Sequence, residues 1–377
     1  MAELPWLVPL GIGLVAVLFA AALTILVVRL SRRSPRAREA ARAARREAET
    51  ALLRLDDAVD DLDIAVEASG ALIDGPDELR RARAAAARTR DRGYTEVATL
   101  RAPNRIPAEV RADAVRIRGR LSDAVARVER TRAELDSWAD AHRPLADRLA
   151  AARARLDETL AATGDPAPLQ EALRRRFDVE DIADAESAAR QAADARAAAD
   201  DALAAGEADS PHRATRATRV LARSLRGIEE MHRSALQAAE NVEREIATVR
   251  VELTGRPDLA DAAGAVDRAA ETATRRPRAA IAAVARARER MDAAPLGSVT
   301  TRQRIEAARA ALPGTLACAR TALTAAETAA DGGPLDARLR RQQARRELAA
   351  ARAATDPVSA LVAARAAWSD ALEASAS

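Results

Sequence analysis

VRADAVRIRGRLSDAVARVERTRAELDSWADAHRPLADRLAAARARL, residues 110–156, carries apolar or small side chains in steps of three and four. The series is Val110, Ala114, Ile117, Leu121, Ala124, Val128, Thr131, Leu135, Trp138, His142, Leu145, Leu149, Ala152 and Leu156. A sustained repeat of about 3.5 residues marks α-helices packed against one another with a left-handed twist. The pattern recurs upstream at Leu52, Leu55, Val59, Leu62, Val66, Ser69 and Ile73. Downstream it returns at Leu221, Leu225, Ile228, His232, Ala235, Ala239, Val242, Ile246, Val249 and Leu253.

Alanine often stands where a leucine would. Each buried Leu contributes about 1.5–3 kcal/mol and each Ala much less, so long interfaces must make up the difference. Composition agrees. Of 377 residues, 102 are Ala and 60 are Arg; there is no Lys, and aromatics number six. Strands favour β-branched and aromatic residues, and alanine and arginine outnumber them here, which excludes a β-rich fold.

Proline and glycine divide the helices. Breaks are expected near Gly75-Pro76, Pro103 to Pro107, Gly164-Asp165-Pro166, Asp209-Ser210-Pro211, Gly255-Arg256-Pro257, Pro295 to Ser298, Gly332-Gly333-Pro334 and Thr355-Asp356-Pro357. Asp165-Pro166, Ser210-Pro211 and Asp356-Pro357 are the clearest helix starts, a capping residue followed by Pro in the first turn. Pro144 falls inside a seam whose phase continues across it, so a bent but continuous helix is expected; the alternative is a break at His142-Arg143. A weak Pro-x-x-Ala repeat at Pro211, Pro257, Pro277 and Pro357 suggests related helical hairpins. Short turns imply antiparallel neighbours.

The N-terminal stretch from Leu4 to Val28 holds no charged residue. A helix of that length, rising about 1.5 Å per residue, covers a hydrocarbon core about 30 Å thick. Its expected anchoring residues are Trp6, Leu10, Leu14, Leu18, Phe19, Leu23 and Leu26, with Trp6 at the interface. Glu3 alone precedes the span. After it come Arg29, Arg32, Arg33, Arg36, Arg38, Arg42, Arg45 and Arg46, opposed by Glu39. Basic residues stay on the cytoplasmic side, so the N-terminus is expected outside and everything from Arg29 onward inside. A cleaved signal peptide is the competing reading, with Ala20-Ala21-Ala22 as the cleavage site, but the segment before the span has no positive charge. Arg29, Arg32, Arg33, Arg36 and Arg38 are the expected topology determinants and lipid-headgroup contacts, at about 1 kcal/mol each near an anionic surface.

The chemistry the chain lacks narrows its role. Without Lys there is no phosphate-loop lysine, Schiff base or kinase ion pair. His142, His212 and His232 are the only histidines and show no metal-binding spacing. His142 and His232 fall in seam positions, where they read as packed core residues or as pH-sensitive points. Cys318, flanked by Ala, reads as a small packed residue and agrees with a reducing compartment. Asp56, Asp57, Asp60, Asp61 and Asp63 read as a solvated helix face. Tyr94, Trp138, Phe177 and Trp368 read as packing anchors. No catalytic residue, cofactor or metal site is expected. The pI near 10.0 reflects charge crowded beside the membrane. The segment from Arg29 to Arg46 carries seven net positive charges, and the remainder of the chain is slightly acidic. Nucleic acid is therefore not the expected partner.

The chain resembles the membrane-anchored, Ala/Arg-rich helical tail of actinobacterial TPM-domain proteins. LLRLDDAVDDLDIAV (52–66), RIRGRLSDAVARVERTRAELD (116–136) and ATDPVSALVAARAA (354–367) carry the likeness, which would cover most of the chain from Leu7 onward. The TPM domain itself is expected to be absent. The layout is also similar to that of the septation-ring regulator family, one membrane helix followed by cytoplasmic spectrin-like repeats. Abundant Ala and Arg with no Lys suits a high-GC bacterial genome.

The expected fold is all-α: one N-terminal transmembrane helix, then an elongated antiparallel helical bundle or spectrin-like coiled-coil array. Its expected organisation is an extracytoplasmic N-terminus (1–3), the transmembrane helix (4–28), a basic juxtamembrane segment (29–46), two bundle parts (47–164 and 165–295) and C-terminal hairpins (296–377). The expected role is a non-enzymatic scaffold or adaptor at the inner face of the cell membrane, near the division or envelope machinery. Its partners would be the bilayer and proteins that engage its helical faces. A membrane-surface sensor or remodelling module that binds anionic lipid is the alternative. The heptads fit intramolecular packing and a homo-oligomer equally.

Overall fold

The computed structural model describes residues 35–102, 105–293, 301–329 and 333–376. Among these residues the chain is all helical, with no strand. The helices are α1 (Pro35–Ser69), α2 (Ala71–Asp74), α3 (Asp77–Leu100), α4 (Pro107–His142), α5 (Leu145–Thr163), α6 (Ala167–Arg176), α7 (Val179–Ala205) and α8 (Ser210–Leu253). A 3-10 turn (Pro257–Leu259) leads to α9 (Ala260–Thr272), α10 (Pro277–Ala293), α11 (Thr301–Ala329), α12 (Leu335–Ala353) and α13 (Pro357–Ala376). Among the described residues no helix is long and apolar enough to cross a membrane. The expected span, 4–28, lies outside them, as does the expected break at Pro295 to Ser298.

The punctuation works as its chemistry requires. Asp356 caps α13, its Oδ2 accepting the Ser359 N–H and hydroxyl, each at 2.8 Å. Asp165 Oδ1 accepts the Ala167 N–H at 2.9 Å at the start of α6. Ser210 departs from the capping role: it begins α8, but its hydroxyl accepts the Glu207 N–H at 2.9 Å from the preceding turn. Pro144 breaks the helix rather than bending it. Its ψ of 148° is extended, α4 stops at His142 and α5 starts at Leu145. By contrast, Pro313 lies inside α11 and the helix continues through it.

The chain forms two compact units. Among the described residues, one takes in 35–63 together with Gly75–Leu135. Within it α1, α3 and α4 make an up-down-up bundle. Arg90 of α3 and Arg101 just past its end pair with Asp60 and Glu49 of α1, so residue numbers run in opposite directions. Arg118 and Arg132 of α4 reach Glu47 and the Asp61 carbonyl, so α1 and α4 run parallel. Leu52, Leu55, Val59, Ala114, Ile117, Leu121, Ala124 and Val128 are buried, as the seams require. Tyr94, also buried, donates its hydroxyl to the buried Asp56 at 2.6 Å. The acidic cluster is thus not a plain solvated face. Asp56 belongs to the core, Asp60 pairs with Arg90 and Asp63 with Arg83.

The second unit takes in Ile64–Asp74 and Asp136–Ser377. Its centre is α8, which packs on α5, α7, α10 and α11, while α13 packs on α11 and α12. Helix α7 meets the core through alanines, Ala185, Ala188, Ala192, Ala195, Ala199 and Ala202. Phe177 is fully buried and ends α6, a break that the Pro/Gly signals do not mark. The buried Asp181 accepts the backbone N–H groups of Arg278 (3.1 Å) and Ala279 (2.9 Å), capping the first turn of α10 from another helix. Arg288 is 7% exposed and lies between Glu245 (2.6 Å) and Glu252 (3.1 Å). Burial opposes its charge, but hydrogen bonds and charge from the two glutamates outweigh that and raise its pKa.

Candidate functional site

The basic run is where the sequence concentrates charge, and α1 carries the described part of it. Alanines set the orientation of this helix. Ala41, Ala44 and Ala48 are buried and continue the seam that Leu52 and Leu55 extend. Outside that seam stand Arg38, Arg42 and Arg46, all exposed. Four-residue spacing advances about 6 Å along a helix and turns only 40°, so the three guanidiniums stand on one face. With Pro35 and Glu39 they line an open depression of about 440 Å³.

Of the expected headgroup contacts, Arg36 and Arg38 lie among the described residues. Arg38 is on the face. Arg36 is exposed but sits about 160° round the axis from Arg38. Arg29, Arg32 and Arg33 lie outside the described residues, as do the anchor residues Trp6, Leu10, Leu14, Leu18, Phe19, Leu23 and Leu26. Arg42 and Arg46 join Arg38, and the i, i+4 spacing was the signal for them. Arg45 has a different task, 3.6 Å from Glu49.

Most other arginines that reach a carboxylate do so across helices. Arg118 binds Glu47, Arg101 binds Glu49 at 2.7 Å, and Arg219 binds Glu67 at 2.5 Å. These pairs fix which helix lies beside which, although exposed ones add little stability. Among the described residues no carboxylate pairs with Arg38, Arg42 or Arg46.

The remaining candidates resolve as structural groups. His142 is exposed, its ring stacked on Trp138 with centroids 5.3 Å apart and its Nδ1 2.8 Å from the Trp138 carbonyl oxygen. His232 is half-buried, and Met231 takes the seam position beside it. Neither histidine is therefore a core residue. Tyr94, Phe177 and Trp368 are buried, while Trp138 is half-buried at the seam's edge. Cys318 is half-buried against the clusters to which α10 contributes, and burial pushes its thiol up to about 12, which makes it a weak nucleophile at neutral pH. No cluster of three or more His, Cys, Asp or Glu able to hold a metal occurs among the described residues.

What this arrangement can do chemically is bind anions. A guanidinium offers a planar fork of donors that suits phosphate or carboxylate oxygens. Comparison with known proteins adds no further constraint: no family model, no curated protein and no solved structure matches the chain.

Proposed function

We propose that the chain is a single-pass membrane protein whose cytoplasmic helices form a scaffold or adaptor at the inner face of the cell membrane. The observation that carries this reading is the uncharged run from Leu4 to Val28, followed directly by eight arginines against one glutamate. Such a run satisfies its own backbone hydrogen bonds as a helix in lipid, and the arginines hold its inner end on the cytoplasmic side. The helical bundles support the second half of the reading. Long helices bearing Arg and Glu outward offer faces on which partner helices dock. The resemblance to septation-ring regulators, in layout, points to division or envelope organisation as the setting.

Imaging of a tagged full-length copy tests the proposal. Signal should outline the cell, and a copy lacking residues 1–28 should become diffuse. Diffuse signal from the full-length chain would refute it. Proximity labelling from the C-terminal end should then recover helical proteins of the inner membrane face.

A further inference from the structure

Two carboxylates farther along α1 are engaged elsewhere, Glu47 by Arg118 of α4 and Glu49 by Arg101 just past the end of α3. Arg38, Arg42 and Arg46 are left exposed around their depression, with Glu39 as the acidic residue on its wall. Resting on the membrane-anchored reading above, we propose that these three arginines bind the phosphates of anionic phospholipid headgroups.

Three features favour that ligand. The guanidinium forks are spaced about 6 Å apart along the helix, so successive phosphates or the oxygens of one can each find a donor pair. Arg38 follows Val28 by ten residues, so even a fully extended link keeps it within about 35 Å of the expected inner end of the span. The buried alanines of α1 seat the helix in its bundle and leave the three arginines exposed outside that seam. Nucleic acid is the weaker fit. The depression has no aromatic side chain to stack on bases, and the chain beyond Arg46 is net acidic.

Arginine footprinting of the full-length chain tests the site. The protein is mixed with vesicles of phosphatidylcholine, with or without phosphatidylglycerol, and labelled with phenylglyoxal. Modification is read by peptide mass spectrometry. Labelling of Arg38, Arg42 and Arg46 should slow severalfold with phosphatidylglycerol and recover at high salt. The exposed Arg309 and Arg352 should label equally in both lipids. R38Q/R42Q/R46Q should lose the preference for phosphatidylglycerol while keeping its helical circular dichroism, and the wild-type footprint stands without that variant. Equal labelling in the two lipids would overturn the proposal. So would equal or stronger protection by inorganic phosphate alone or by a single-stranded oligonucleotide. Failure of the anchor shows separately, as failure to float with pure phosphatidylcholine vesicles, and the phosphatidylglycerol footprint can still be read in that case.

Discussion

Gly227 and Gly93 show how much one missing methyl matters where helices touch. A Cβ on Gly227 would meet the Thr328 Cγ2 at 2.5 Å, and Thr is stiff at that position. A Cβ on Gly93 would meet the tips of Leu121 (2.9 Å) and Leu52 (3.0 Å), which can swing aside. Alanine gains about 1 kcal/mol of helix propensity at either site, set against about 1–3 kcal/mol for overpacking. Gly227→Ala should therefore lower the urea midpoint, and adding Thr328→Ser should restore it, because serine lacks the clashing methyl. Gly93→Ala should be near neutral. Equal losses at both sites would contradict the close approach of α8 and α11.

Asp181 offers a second test at this scale, through pH. Burial is the main cause of its raised pKa, partly offset by the N–H groups of Ala279 and Arg278. Between its unfolded and folded values the folded chain holds a proton that the unfolded chain has released. Stability relative to a neutral variant is thus greatest below the unfolded value and falls as pH rises through the folded one. Measured by urea unfolding along an acid series, the advantage of wild type over Asp181→Asn should shrink as pH rises. A widening gap would contradict the buried position.

At the scale of the element, the decisive events are where helices stop. Gly70 has φ of 76°, which ends α1 and sets α2 off as a separate turn. Val66 keeps its place in the core at 3% exposure, whereas Ile73, the next residue but one in the same apolar series, is 83% exposed. Ile73→Asp should change stability by no more than about 0.5 kcal/mol, while Val66→Asp, burying a charge, should cost about 3 kcal/mol or more. Chemical unfolding of both variants checks this, and a large loss from Ile73→Asp would restore the uninterrupted seam.

These stops also explain what was legible beforehand. Periodicity located the seams of α1, α4 and α8 because apolar side chains there have nowhere else to go. It missed by one position at Trp138, His232 and Ala239, where the buried residues are Ala139, Met231 and Ala238, because a four-residue step and a three-residue step cannot be told apart when both neighbouring side chains could pack. Pro/Gly punctuation marked most breaks. It missed the one at Phe177, where a buried ring and the reach of Asp178 to the Arg275 carbonyl, by N–H at 2.9 Å, turn the chain through tertiary contacts alone. The basic face was half legible. Charge density marks the segment and i, i+4 spacing the shared side, but that this side lies outside the core became clear only with the burial of Ala41, Ala44 and Ala48, and Asp56 needed Tyr94, 38 residues away, to explain its burial.

For the molecule as a whole, each unit is built from many small contacts, with alanines at much of the core and ion pairs choosing neighbours. Local opening should be measurable through Cys318, whose thiol is pushed up to about 12 by burial. Iodoacetamide should label it slowly at neutral pH, and the rate should climb through the unfolding transition. Fast labelling of the native chain would contradict its packing between α10 and its neighbours.

The central claim joins such bundles to a bilayer through residues 4–28, and alkaline carbonate extraction of membranes that contain the full-length chain tests it most directly. High pH and salt strip proteins held by charge but leave those held by a spanning helix. The chain should stay in the membrane pellet, and a version lacking residues 1–28 should be released. Recovery of the full-length chain in the supernatant would contradict the account.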